Sequence, residues 1–201
     1  MVSPLAVAPP YPREVDDRDP RPIARLEDAP AGELVLRKPS WRSGVHLLEA
    51  DGLLVGRLHR SGRRDRGRIE DAATTWTLAR DGSWLSARMA LLDGATGERL
   101  GTYRRRGWRR GGGDLRMTGG GLLGLHTPGW RRRDWIWTRD GEELATVRLV
   151  RGLGETTARA RLTPAGRASG MGVLLVLAGS HLGLRDADES ASAGGTAGAA
   201  A

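Results

Sequence analysis

Two segments of this chain combine arginine with tryptophan in a pattern that could bind an anion. They are Tyr103–Gly113 (YRRRGWRRGGG) and Gly129–Trp137 (GWRRRDWIW). Guanidinium groups bind phosphate and carboxylate oxygens, and tryptophan stacks on cations or inserts at a membrane interface. The candidate anion-binding residues are Arg104, Arg105, Arg106, Trp108, Arg109, Arg110, Arg131, Arg132 and Arg133.

The same clusters have a second interpretation, based on composition. Lys38 is the only lysine among the 32 basic residues, and phenylalanine is absent. With the abundant glycine and alanine, this pattern is typical of GC-rich coding, which raises arginine content without selection for binding. On this interpretation the clusters are a solvated rim, and Trp135 and Trp137 fill the core from one face of a strand.

The sequence contains no motif that would place catalytic residues together. His46, His59, His126 and His181 lie in four separate segments, none of them in a metal-ligand spacing. The segment Gly119–Gly124 matches G-x-G-x-x-G, but Pro128 follows too soon for the helix that would bind a pyrophosphate. Cysteine is absent, which excludes disulfides and thiolate chemistry. The sequence therefore predicts no catalytic residue, no metal, no cofactor and no enzymatic activity.

Proline and charge divide the chain into three parts. Seven of the ten prolines fall in the first thirty residues, so residues 1–31 are predicted to be a disordered arm. Residues 186–201 are rich in alanine and glycine and are predicted to be a disordered tail. The domain between them, residues 32–185, has 28 basic and 15 acidic residues, a net charge of +13.

Within residues 32–185 the apolar residues alternate with a period of two. In Thr156–Leu162, Ala158 and Ala160 share one face and Arg159 and Arg161 the other, as in a strand that is wet on one side. Asp-Gly pairs, typical of tight hairpins, separate several such segments. The strand candidates are Glu33–Arg37, Val45–Glu49, Leu53–His59, Thr74–Ala79, Trp84–Asp93, Arg99–Arg104, Leu122–Thr127, Asp134–Thr138, Glu143–Val150 and Thr156–Leu162.

The one long uncharged segment follows these strands. Ser169–Leu184 has 16 uncharged residues, whereas a membrane helix needs roughly 17–25 predominantly apolar ones. A membrane anchor and a surface helix remain alternatives. However, a helix without a polar face is normally buried in protein, so we expect a buried helix at about residues 169–185. The fold class is therefore mainly β, a closed antiparallel barrel of about 10–12 strands with this hydrophobic helix through its centre.

A barrel of Asp-Gly hairpins with a hydrophobic helix after its strands resembles the tubby-like C-terminal superfamily, which includes LURP-one-related proteins and phospholipid scramblases. The segments that carry the resemblance are Glu33–Trp41, the following LLEADGLLVG, the later DGEELATVR and the helix GVLLVLAG. The resemblance implies a twelve-stranded barrel around a central helix, a mostly non-enzymatic family and phosphoinositide binding in some members. No lipid-binding residue of those relatives matches a position here.

Together these features predict a non-enzymatic binding or scaffold module that recognises anionic lipid headgroups through its Arg/Trp-rich loops. The alternative is a basic β-barrel associated with nucleic acid, which a net charge of +13 would attract. We expect a monomer without a transmembrane span. No secretory signal is recognisable, so we expect a cytoplasmic protein that contacts membranes peripherally.

Overall fold

In the computed structural model of this protein, twelve strands close into one antiparallel barrel. The structure describes residues 19–40, 43–61, 66–82, 88–106, 112–128, 133–150 and 156–195. The first six strands are β1 (Leu34–Arg37), β2 (Val45–Ala50), β3 (Leu53–Arg60), β4 (Arg66–Glu70), β5 (Thr75–Arg80) and β6 (Arg88–Asp93). The second six are β7 (Arg99–Arg105), β8 (Gly112–Met117), β9 (Leu122–His126), β10 (Asp134–Arg139), β11 (Glu142–Leu149) and β12 (Thr156–Leu162).

Each strand pairs with its neighbours in the chain, and β1 pairs with β12 to close the barrel. Two of the predicted Asp-Gly pairs form hairpin turns in which both residues have positive φ. The values are 48° and 82° at Asp51 and Gly52, and 51° and 85° at Asp140 and Gly141. This geometry matches the right-handed twist of the flanking strands, which explains the choice of residues.

Two helices follow the strands, α1 (Pro164–Ala168) and α2 (Gly172–Gly195). Strands on opposite walls of the barrel contact α2. A Cβ atom added to Gly56 of β3 would lie 2.7 Å from Val173 Cγ1, and one added to Gly179 of α2 would lie 2.9 Å from Trp137 Nε1 of β10. A helix that touches opposite walls of a closed barrel lies inside it. The predicted fold class is therefore confirmed.

The lumen is packed with apolar side chains from the wall and from α2. Trp135 and Trp137 are buried, and the Trp137 indole N–H donates to the Leu175 carbonyl oxygen of α2 at 2.7 Å. Ala158 and Ala160 face the lumen and are buried, as the alternation of β12 predicts. Small residues on the wall leave room for the helix, and the two tryptophans fill the remaining volume.

Strands β4 and β8 were not predicted from the sequence. Their inward positions include glycine, which adds nothing to an apolar pattern. A Cβ atom on Gly67 of β4 would lie 2.8 Å from His181 Nδ1, and one on Gly113 of β8 would lie 2.7 Å from the Tyr103 ring. Both positions face inward, and both are glycine because a neighbouring ring occupies the space that a side chain would need.

Part of the predicted N-terminal arm packs against the barrel. Ile23 covers a small apolar cluster on the outside of the wall, formed by Val45, Leu47 and Leu54. A short 3₁₀ helix follows at Leu26–Asp28. After it, the carbonyl groups of Ala29 and Pro30 accept hydrogen bonds from Arg167. Proline content predicted disorder for this segment, but Leu26 and Ala29 are buried, Ile23 is half-buried, and Arg167 bonds its backbone carbonyl groups.

The helix also continues beyond the predicted end of the folded domain. Composition placed residues 186–201 in a disordered tail, whereas α2 runs to Gly195. Asp186 is buried, and Asp188 and Glu189 are half-buried. The physical reason for the difference is ion pairing with arginines of the barrel wall, which composition alone does not reveal.

Candidate functional site

The two ends of the barrel carry opposite charge. Odd-numbered strands end, and even-numbered strands begin, at the end where α2 leaves the lumen. We call the basic residues at these strand ends the basic mouth. They are Lys38, Arg60, Arg66, Arg80, Arg88, Arg104, Arg105, Arg106 and Arg133.

Acids on the wall near the basic mouth are already bonded to arginines. Asp114 accepts from Arg106 Nε at 2.8 Å, and Asp134 accepts from Arg148 Nε at 2.6 Å. Asp81, directly after β5, accepts from Arg99 at the start of β7, at 3.0 Å. Each of these three acids is therefore bonded to an arginine of the wall.

The opposite end, at which α2 begins, carries mainly acids, and we call it the acidic end. Its acids are Glu49, Asp51, Glu70, Asp71, Asp93, Glu98, Asp140, Glu142 and Glu143, beside the basic residues Arg99, Arg116, Arg139, Arg161 and Arg167. Several of these acids occupy the hairpin turns, so the same residues that form the turns also set the charge. The barrel consequently has an electric dipole along its axis, with the positive pole at the basic mouth.

The predicted residues Arg104, Arg105 and Arg106 lie at the basic mouth in three different environments. Arg104 is exposed and has no acidic partner among the described residues. Arg105 points into the lumen and pairs with acids of α2. Arg106 forms an ion pair with Asp114 on the neighbouring strand, and this carboxylate raises the pKa of the guanidinium. Alternation along β7 explains why adjacent arginines point in opposite directions.

Arg133 is also exposed at the basic mouth, directly before β10, without an acidic partner among the described residues. The predicted residues Trp108, Arg109, Arg110, Arg131 and Arg132 lie outside the described residues. The strand ends that flank them, Arg105 and Gly112 for the first segment and His126 and Asp134 for the second, all lie at the basic mouth. The structure therefore brings Arg104, Arg105, Arg106 and Arg133 to one end of the barrel.

Sequence analysis missed the residues of α2 that enter this end. Asp188 Oδ2 lies 3.0 Å from Arg60 Nη2, and Glu189 Oε2 lies 3.0 Å from Arg105 Nη1. Asp186 also pairs with Arg105. One signal was available in the sequence, because Leu182, Asp186 and Glu189 continue the spacing of four and three residues that defines one helix face.

The lumen below the basic mouth contains two buried histidines. Burial lowers the pKa of His46 and of His181 to about 3, because the protonated ring would lose its hydration, and the nearby Arg60 adds to the effect in both. His46 Nδ1 lies 3.2 Å from Thr157 Oγ1, and neither ring nitrogen of His181 has a hydrogen-bond partner. Both imidazoles are therefore neutral near pH 7 and part of the core.

Groups for catalysis or metal binding are not assembled in the described part of the chain. No three metal-ligating side chains cluster there. His59 Nε2 approaches Glu70 at 3.5 Å, but this pair lies apart from the two buried histidines. A groove of about 460 Å³ lies beside the N-terminal segment, lined by residues that include Glu33, Glu49 and Asp51. Glu49 in this groove already forms ion pairs with Arg21 and Arg37.

No helix in the described ranges has both the length and the apolar character that crossing a membrane requires. This finding applies to α2, whose charged residues beyond Leu184 follow the apolar segment of the lumen.

Comparison with known proteins gives one fold similarity. No model of a protein family matches the sequence, and no curated protein matches it. The crystal structure of a protein from Arabidopsis thaliana is similar in fold, with a TM-score of 0.46 and 15% sequence identity. The similarity covers 74% of this chain and 91% of the plant protein. The resemblance to the tubby-like C-terminal superfamily stays a prediction from the sequence.

Proposed function

We propose that this protein is a non-enzymatic binding module that docks its basic mouth onto anionic lipid headgroups. The observation that carries the proposal is the separation of charge between the two ends of the barrel. A positive pole orients the molecule toward an anionic surface, and exposed arginines bind phosphate oxygens directly. The resemblance to the tubby-like superfamily supports the same proposal, because phosphoinositide binding is a property of some of its members.

The packed lumen supports binding at the surface rather than inside the barrel. Side chains of α2 and the wall fill the interior, from Leu174 to Leu177 and around Trp137. A ligand enclosed by the barrel would have to displace the core. Arg104 and Arg133 are therefore the described residues best placed to contact a headgroup, since both are exposed at the basic mouth.

The test compares two double variants that remove the same charge. We expect Arg104→Gln/Arg133→Gln to weaken binding to vesicles of phosphatidylcholine and phosphatidylserine about thirtyfold, because each arginine near such a surface contributes about 1 kcal/mol. Arg139→Gln/Arg161→Gln, near the acidic end, should change binding little. Vesicle co-sedimentation at several salt concentrations measures both.

Equal loss of binding in the two double variants would contradict a specific role of the basic mouth. A nucleic-acid partner is the alternative outcome. In that case, duplex DNA would bind more tightly than vesicles, and the slope of log affinity against log salt would flatten when the arginines are removed. Absence of vesicle binding by the native chain would overturn the proposal.

A further inference from the structure

We propose that the acidic segment Asp186–Glu189 of α2 is an internal competitor that occupies part of the basic mouth and weakens its binding to external anions. This inference rests on the proposed function and adds a regulatory contact to the same site. The segment forms ion pairs with two arginines of the wall, Arg60 and Arg105.

The first argument is that the arginines and the acids that pair with them come from different parts of the fold. Arg60 ends β3 and Arg105 ends β7, on well-separated strands of the wall. Within the described residues, the ion pairs of both arginines are formed with α2: Arg60 with Asp188, and Arg105 with Asp186 and Glu189. The wall thus presents two inward cations whose counter-charges come from a segment that follows the barrel in the chain.

The second argument is that like charges lie together on one face of the helix. Asp186 and Glu189 are three residues apart and pair with the same wall arginine, Arg105. Arg185 compensates in part, with its Nε 2.9 Å from Glu189 Oε1. The wall arginines supply the remaining compensation, so this segment of the helix depends on the same cations that an external phosphate would use.

The third argument is the gradation of exposure along the segment. The Asp186 side chain is 8% exposed, Asp188 is 31% exposed and Glu189 is 40% exposed. Asp186 is therefore part of the core, whereas Asp188 and Glu189 are more exposed than their partners Arg60 and Arg105, whose side chains are 14% and 24% exposed. An external anion would take the place of the two outer acids, while Asp186 stays bonded to Arg105.

The experiment removes the two outer acids without removing their hydrogen-bonding atoms. We expect Asp188→Asn/Glu189→Gln to bind phosphatidylserine vesicles about three- to tenfold more tightly than the native chain, because each partly exposed ion pair is weak and together they compete modestly. Asp140→Asn/Glu142→Gln is the matched control. It makes the same change in net charge at the acidic end and should have a much smaller effect.

Fold is verified for each variant by circular dichroism and thermal unfolding. If Asp188→Asn/Glu189→Gln does not fold, Glu189→Gln alone is the substitute, since it leaves Asp186 and Asp188 in place. A second measurement uses the native chain: amide hydrogen exchange within residues 186–190 should become faster when phosphatidylserine vesicles are added.

The outcomes separate the two proposals. Equal gains from the mouth variant and the control variant, or unchanged exchange on vesicle addition, would overturn the competitor role and leave the proposed function standing. Lower thermal stability with unchanged vesicle affinity would show that the ion pairs only anchor the helix. Absence of vesicle binding by every variant would overturn both proposals together.

Discussion

The imidazole of His181 is completely buried, and neither of its ring nitrogens has a hydrogen-bond partner. Leaving such a group without a hydrogen bond costs free energy, which the packing of the ring against the core must offset. Gly67 on β4 is adapted to the ring, since a Cβ atom there would lie 2.8 Å from Nδ1. The side chain acts as a core residue that resists protonation.

Acid should therefore destabilise the protein in part through His181. Its pKa is 6.5 when unperturbed and about 3 in the fold, so between these values only the unfolded chain takes up the proton. The free energy of unfolding falls as pH decreases through this range, by up to about 1.4 kcal/mol per pH unit for one histidine. His181→Leu should make this dependence shallower by one proton.

Urea unfolding at a series of pH values measures the effect. His46, whose pKa is lowered in the same way, contributes the same sign and remains in the variant. His126→Leu, which removes a histidine at an exposed position, is the control variant. Identical slopes for the native chain and His181→Leu would show that the ring is protonated in the fold.

At the scale of elements, α2 forms the inner half of the core. Val173 to Ala178 are almost fully buried against strands on both sides of the barrel. Such a helix requires no polar face, which is why its sequence resembles a short membrane segment. The wall and the helix are therefore expected to unfold together, because neither buries its apolar surface alone.

We expect Leu175→Asp to unfold the domain. Leu175 is 0% exposed, and an unpaired carboxylate buried there costs several kcal/mol, comparable with the stability of a typical domain. Leu122→Asp is the control, because Leu122 is 47% exposed and its replacement should have little effect. Far-ultraviolet circular dichroism and thermal unfolding compare the two variants. A folded Leu175→Asp protein would contradict the central position of the helix.

Elements with clear alternation could be predicted from the sequence, and those with glycine facing inward could not. Strand β12 was predicted at its exact limits, because Ala158 and Ala160 alternate with arginines. Strand β4 was missed because Gly67 replaces an apolar side chain where His181 fills the space. The pairing of Arg105 with Asp186 was equally unpredictable, since it depends on the barrel register between residues 81 positions apart.

At the scale of the whole molecule, the charge distribution gives the barrel two distinct ends. Hairpin turns with aspartate and glutamate form one end, and strand ends rich in arginine form the other. The net charge of the chain, +8, conceals this separation. An oriented dipole favours one approach to a charged surface, so the proposed docking has a defined direction.

Site-specific probes should report this direction. The chain has no cysteine, so one introduced cysteine can be labelled selectively with a polarity-sensitive fluorophore. We expect a probe at Ser61→Cys, at the basic mouth, to change its emission when phosphatidylserine vesicles are added. A probe at Ala95→Cys, in the turn between β6 and β7 at the acidic end, should not. Equal responses from the two probes would exclude a single orientation.

The position of α2 after all twelve strands has a consequence for biosynthesis. Translation completes every wall strand before it produces the helix around which they close, and β1 must wait for β12 to pair Leu34 with Ala160. Until then the inward faces of the nascent strands have no core to cover. Among the pairings of the twelve described strands this is the one between distant segments, so the edges of β1 and β12 stay unpaired until β12 has been made. An interrupted translation product would lack the helix that fills the barrel.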